Sequence, residues 1–254
     1  MTPHQAAVAK SFLAERETQR RHLVIYLSGA HAYGFPSPDS DLDLKCIHIA
    51  PTRMLVGLEQ LTETAEKIEI VEGEELDYGS NELSPVLRGV IKGNGNFLER
   101  ILGDLVLGGD QQLLGELRVL AKPIISRRVA RHYAGFATSQ LKAFDEKPTA
   151  KRALYVLRTS ATGRHLLAHG EMITDVARLT EFIPPEISEL MAIKRQAEKQ
   201  TLEPEMVPAW RAKLVAAIAE IDKTASTSML PIEPAEPAIM ALDEWLRGVR
   251  QTSW

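Results

Sequence analysis

At 254 residues, 44% hydrophobic and 25% charged, the chain is long enough to bury one large or two small cores and has the composition of an ordinary soluble protein. It contains no apolar run of the length a membrane span needs, and its first residues, among them His4, Lys10, Glu15 and Arg16, lack the apolar region of a signal peptide, so a cytoplasmic protein without a membrane partner is expected. A single cysteine, Cys46, excludes an internal disulfide and a thiolate-rich zinc site, and reads as a small buried hydrophobe.

The net charge of −4 conceals a sorting of charge along the chain. Eight carboxylates (Glu63, Glu66, Glu69, Glu72, Glu74, Glu75, Asp77, Glu82) face Lys67 alone between positions 63 and 82. Between Arg118 and Arg164 eleven basic residues face only Asp145 and Glu146, which points to an anionic partner for that stretch.

In chain order, residues 4–21 place Val8, Phe12 and Leu13 at helical spacing, ending in Arg20 and Arg21. Residues 23–27 (LVIYL) form a short apolar run stopped by Ser28 and Gly29, as in a buried strand followed by a tight turn. Residues 41–49 (DLDLKCIHI) alternate as a second strand. Residues 67–71 predict a third, with a further extended piece at 76–78. From Asn81 onward the period becomes helical: Leu83, Val86, Leu87, Val90 and Ile91 make one stripe, and Phe97, Leu98, Ile101 and Leu102 another. Helices are expected over 122–144, 151–169, 187–199, 207–225 and 237–249, with prolines between them and a Pro/Glu connector at 231–237. The reading is α+β: a small mixed sheet at the front, helices behind, and a division into residues 1–115 and 116–254.

The chemistry concentrates in GAHAYGFPSPDSDLDL. Side chains two apart on a strand share a face, so Asp41 and Asp43 point together while Leu42 and Leu44 point into the core. Two adjacent carboxylates repel unless a cation joins them, and hard oxygen donors suit magnesium or manganese. A solvated polar turn is the plainer alternative for the pair alone. A glycine-bearing turn, Gly29 to Gly34, precedes the acids and supplies backbone N–H groups for phosphate oxygens. Lys151, Tyr155 and Arg158 share one face of the 151–169 helix, a cationic face with an aromatic that suits a nucleotide; Gln140 and Lys142 are weaker candidates. Asn94 and Gly95 read as a turn, Asn96 as a helix cap answered by Glu99. His31 and His48 read as structural, His31 retaining some claim to touch substrate.

These residues resemble the GSxxxG…DSDxD signature of the DNA polymerase β-like nucleotidyltransferase superfamily. The likeness is more specific to the RlaP type, the RNA repair pathway DNA polymerase β family, through GAHAYGFPSPDSDLDLKCI, ELSPVLRGVIKGNGNFLERI, GFATSQLKAF and YVLRTSATGRHLLAHGE. It runs from about Ser28 to Leu179, and SMLPIEP extends it weakly. The resemblance implies a polymerase β palm-like catalytic domain, transfer of a nucleoside monophosphate from an NTP, chiefly ATP, to a hydroxyl, and release of pyrophosphate.

Carried over, it places Gly29 in the phosphate turn and Asp41 and Asp43 on Mg²⁺ or Mn²⁺. A third carboxylate is expected from a neighbouring strand: Asp77 takes that position, acting also as general base, with Glu69 and Glu75 in competition. Ala30 stands where the family has serine, and backbone donors, Ser28 or Ser40 are the candidates to compensate. Lys151, Tyr155 and Arg158 would hold the nucleotide. The acceptor expected is an RNA end, supported by the basic stretch. A protein hydroxyl, a small molecule, a non-catalytic nucleotide or RNA binder and a metal-dependent nuclease are the alternatives.

Overall fold

The computed structural model describes residues 1–58, 62–196 and 200–254. Among them five strands form one mixed sheet in the order β3-β4-β2-β1-β5. The strands are β1 (Arg21–Leu27), β2 (Leu42–Ile49), β3 (Thr64–Val71), β4 (Glu74–Glu82) and β5 (Val106–Gly108). β2 runs parallel to β4, and the other pairings are antiparallel. The parallel pair fixes the site, because it sets Asp43 directly beside Asp77.

The sheet's two faces differ in kind. Helix α1 (Pro3–Gln19), opened by a Thr2–Gln5 capping box, lays Val8, Phe12 and Leu13 on one face against Ile25, Leu27, Leu42, Leu44, Cys46, Leu76 and Tyr78. Cys46 is buried there as expected, its thiol pushed up to about 12 by loss of water. The helix stops at Gln19 rather than at residue 21, since Arg20 is extended and Arg21 already pairs with Ile49. On the second face, Val24, Tyr26, Ile47 and Ile49 join the larger core built with the helices. That core takes in α4 (Leu83–Ile91), α5 (Gly95–Leu102), α6 (Gln111–Ala121), α7 (Val129–Glu146), α8 (Ala150–His169), α9 (Ile187–Gln196), α10 (Val207–Thr227) and α11 (Glu236–Thr252). Two short helices, α2 (Gly29–Tyr33) and α3 (Thr52–Leu55), sit in the early loops.

Several boundaries move. β3 and β4 extend the expected pieces at 67–71 and 76–78, and β5 and α6 are additions. The helix expected at 122–144 begins only at Val129. Pro123 lies in a 3-10 turn (Lys122–Ile124), Ile125 is extended, and Arg127 is tied to the carbonyls of Ser228 and Leu230 in the carboxyl-terminal connector. The last three positions of the helix expected at 187–199 lie outside the described residues. Residue 115, where the sequence suggests a division, lies inside α6, and one core runs across it from Leu23 to Val249. Among the described residues no helix is long and apolar enough to cross a membrane.

Candidate active site

β1 delivers the chain to Ser28, α2 turns it, and the loop returns it to β2, so the turn sits over the first residues of β2. Gly29 is required there for two reasons. Its φ is +64°, a left-handed value that a Cβ disfavours, and a Cβ built on it would fall inside the Asp43 carboxylate. The backbone of the turn and the Asp43 side chain are thus in contact because residue 29 has no side chain. Gly34 closes α2 in the left-handed region.

Leu42 and Leu44 are wholly buried, and Asp41, Asp43 and Lys45 occupy the opposite face as their spacing predicts. Asp43 is the strained member: burial first, then the Asp41 charge, raise its pKa to about 6 against the pull of Lys45. Register separates the three candidates for the third carboxylate. Asp77 faces Asp43 across the parallel pair. Glu75 shares that face two residues nearer the strand end, whereas Glu69 pairs with Leu76 and faces α1, where Arg16 lies 3.5 Å away.

Between Asp43 and Asp77 stands a side chain that sequence reading passed over. Lys45 Nζ lies 2.7 Å from Asp77 Oδ1 and 3.7 Å from Asp43 Oδ1. Its position two residues after Asp43 was signal enough to put it on that face. Among the described residues no three acidic, histidine or cysteine side chains are gathered closely enough to hold a metal ion as they stand. The ammonium of Lys45 instead supplies the positive charge that the carboxylates demand.

Two cavities adjoin this point and share Asp43 and Tyr155. One, of about 470 Å³, is lined by Asp41, Asp43, Gln140, Lys147, Lys151 and Arg152, with Thr149 and Tyr155. The other, of about 170 Å³, is reached by Ser28, Gly29, Lys45, Asn96, Glu99 and Arg100. A larger hollow of about 620 Å³ lies at the far end of β2, beside Arg20, Arg21 and His48, and none of the three aspartates reaches it.

Of the expected nucleotide-binding residues, Ser28, Gly29, Lys151 and Tyr155 line these cavities. The Tyr155 ring also packs edge-on against Tyr33 and Phe35, at 5.6 and 5.9 Å between centroids. Three others require correction. Ser40 is buried and bonded to Ser37 Oγ and to Lys194 Nζ, so it braces the loop instead of facing phosphate. Ala30 buries its methyl in the core, leaving only its backbone for the site.

Arg158 is 1% exposed and donates to Glu99 Oε1 at 2.7 Å, its guanidinium 3.6 Å above the centre of the Tyr33 ring. It is a buried ion-pair partner and does not reach the cavities. Glu99 is therefore no capping residue: Asn94, not Asn96, caps α5 by accepting from the Phe97 N–H. That pairing spans 59 residues of sequence, and no local pattern announces it. His48 is buried, bonded through Nδ1 to Ser80 Oγ, and held neutral with a pKa of about 4 by burial. His31 lines neither cavity, and burial lowers its pKa too.

The basic stretch is also largely consumed inside the molecule. Arg118 donates to the carbonyls of Ile101 and Gly103, closing the end of α5. Arg127 and Arg128 hold the connector before α11, Arg128 through Glu233 at 2.6 Å. Arg152 donates to the carbonyls of Ala143 and Lys147, and Arg164 donates to Phe182 O and Thr224 Oγ1. With Arg158, six of the eleven basic side chains are engaged by the protein's own oxygens, though among the described residues only Arg128 and Arg158 of the six meet carboxylates. These six side chains are committed to bracing the fold, so the positive stretch of the sequence serves the protein's own packing as well as its surface.

A mixed sheet that carries paired aspartates at the start of one strand, a third carboxylate in register beside them and a glycine turn above defines a nucleotidyltransferase fold of the DNA polymerase β type. The model of the RlaP family, described as the RNA repair pathway DNA polymerase beta family, matches residues 6–248, and the chain belongs to that family. It is 28% identical over 155 residues to the uncharacterized protein MJ0002 of Methanocaldococcus jannaschii, a match covering 60% of this chain and 63% of that protein's length. It is 27% identical over 186 residues to the uncharacterized protein YcgL of Bacillus subtilis, covering 69% and 70% of the two chains. Among solved structures, a nucleotidyltransferase-like protein from Exiguobacterium sibiricum superposes with a TM-score of 0.36 at 9% identity, over 88% of this chain and 75% of that one.

Proposed function

We propose that the protein transfers a nucleoside monophosphate from an NTP, with ATP the first candidate, to a hydroxyl acceptor in a reaction that depends on Mg²⁺ or Mn²⁺ and releases pyrophosphate. The observation that carries this reading is the register of Asp43 with Asp77 across β2 and β4, with Asp41 on the same face and the Gly29 backbone against the Asp43 carboxylate. The donor set fits a divalent ion: the oxygens are hard, and Lys45 already fills the place of a cation between two of them. Asp41 and Asp43 would hold the ion, with Asp77 joining them once Lys45 swings aside. Bound there, it would lower the pKa of the attacking hydroxyl and neutralise charge on the leaving pyrophosphate.

The remaining roles belong to the chain's own groups. First-turn N–H groups of α2 have no acceptor within the helix and would meet phosphate oxygens, the Ala30 backbone among them, without a side-chain hydroxyl. Lys147 and Lys151 line the cavity beside Asp41 and Asp43, where a triphosphate would lie, and Tyr155, which lines it too, would meet ribose or base. Asp77 would accept the acceptor's proton. Support for an RNA end as acceptor rests mainly on the family's description, since six of the eleven basic side chains in the stretch also brace the fold.

Calorimetric titration with ATP, with and without Mg²⁺, tests the reading. Binding is expected only with the divalent ion and is expected to be lost in Asp41→Asn and Asp43→Asn. Equal affinity in both variants without metal would sink it.

A further inference from the structure

The carboxylates stand between two unlike surfaces. On one side is the wall of α7 and α8, with Lys147, Lys151 and Arg152 around the larger of the two adjoining cavities. On the other, the same face of the sheet continues over β4 and β3 and is open. Ile68, paired directly with Asp77, is 70% exposed, and Ile70, paired with Glu75, is 72% exposed. Glu66 precedes them on that face, and neither Glu66 nor Glu75 forms an ion pair among the described residues.

β3 is also an edge. It is eight residues long without proline, and among the described residues no strand pairs with its outer side. Edges of this kind are ordinarily blunted by a lysine or a proline, because an unpaired row of N–H and C=O groups recruits another chain. Here the one lysine, Lys67, faces the α1 side, held by Glu69 at 2.6 Å. Two exposed isoleucines, an unpaired edge and the Asp77 carboxylate thus line up on one strip.

Charge decides what the strip can receive. A polyanion would meet Glu66, Glu75 and Asp77 on the shelf and Glu72 in the adjoining turn, and the shelf carries no aromatic ring on which a base could stack. An extended polypeptide fits: its backbone completes the β3 edge, its apolar side chains cover Ile68 and Ile70, and its basic side chains answer Glu66 and Glu75.

We infer that the acceptor is a tyrosine hydroxyl in an extended, basic polypeptide segment that adds to β3 as a further strand, an assignment that rests on the transferase reading above. The spacing selects tyrosine. An added strand lies two strand separations from β4, about 10 Å; a serine or threonine hydroxyl stops over β3, whereas a phenol laid across Ile68 ends beside Asp77. The phenolic oxygen bonds to the α-phosphorus of the NTP and the bond from that phosphorus to the bridging oxygen breaks. Pyrophosphate leaves with the electron pair, and the phenol proton passes to Asp77. The product is a tyrosyl nucleoside-monophosphate diester.

The test uses the full chain, α-labelled ATP, Mg²⁺ and a short peptide of alternating valine and lysine with one central tyrosine. Parallel reactions contain the peptide with serine for tyrosine, the peptide with glutamate for lysine, and an RNA oligonucleotide of similar length. Label is expected on the tyrosine–lysine peptide, and the Ile68→Lys/Ile70→Lys variant is expected to lower it by roughly tenfold or more, the loss of two apolar contacts, while ATP affinity measured by calorimetry stays unchanged. Label on RNA but not on the peptide overturns the inference, as does peptide labelling indifferent to the isoleucines or to glutamate for lysine. Failure of the wild-type chain to bind ATP with Mg²⁺ overturns the transferase reading instead, and the inference with it.

Discussion

Replacing Asp43 by asparagine should make the metal-free protein more stable at neutral pH. In the fold its carboxyl titrates at about 6 against 3.8 in an unfolded chain, because burial and the Asp41 charge disfavour ionisation. A raised carboxylate pKa means that the unfolded state releases its proton first. The penalty is therefore absent below about pH 4, grows as pH rises through the folded value and is complete at about pH 7. At 1.36 kcal/mol for each pH unit between 3.8 and about 6, it reaches about 3 kcal/mol as an upper bound. Asparagine remains buried and loses the Lys45 ammonium at 3.7 Å, so the net gain should be about 1–2 kcal/mol. For a chain of this length that is a rise in melting temperature of about 2–8 °C at pH about 7.5 without divalent ions.

The gain should vanish as pH falls to about 4 and below, where the wild-type carboxyl is protonated in the folded state and becoming so in the unfolded one. The neutral buried His22 and His48 destabilise both proteins in acid alike, so the difference between them isolates residue 43. Melting curves from pH about 3.5 to 7.5 on both proteins provide the assay. A variant less stable at neutral pH, or equally stabilised at both ends, would refute the reasoning.

Mg²⁺ affinity should fall as pH drops through about 6, since Asp43 must lose its proton to bind; titration calorimetry at several pH values checks this. Gly29→Ala places a Cβ in the Asp43 carboxylate at a left-handed φ, and should cost about 1–3 kcal/mol of stability together with most of the activity, read by urea unfolding and transfer assays. Glu99→Gln strands the buried Arg158 charge and should destabilise by about 3–5 kcal/mol, whereas Lys151→Ala should weaken ATP binding with little effect on unfolding; the two variants compared in both assays separate brace from ligand.

Residues whose placement follows from strand periodicity were legible. Asp41 and Asp43 share a face because the period is two, and Asp77 follows from the short hairpin that returns β4 beside β2. Gly29 was legible as a turn, though its contact with Asp43 needed the packed sheet. Arg158 was misread because helical spacing with Lys151 and Tyr155 says which face it occupies, not whether a carboxylate 59 positions earlier buries it. The basic stretch misled for a related reason. Arginine is as useful for capping carbonyls at helix ends as for holding phosphate, and composition does not distinguish the two. β5, three residues long, is too short for any period to register. Lys45, by contrast, was readable and unread: the alternation that aligned the aspartates placed it on their face.

The most direct measurement follows the phosphates of the donor. ATP labelled at the α-phosphorus and ATP labelled at the γ-phosphorus are incubated in turn with the protein, Mg²⁺ and acceptor, and the products are separated. Nucleotidyl transfer predicts α-label on the acceptor and γ-label in pyrophosphate, both lost in Asp41→Asn. Release of γ-label as inorganic phosphate, or α-label transfer undiminished in that variant, would contradict the assignment of these aspartates to nucleotidyl transfer.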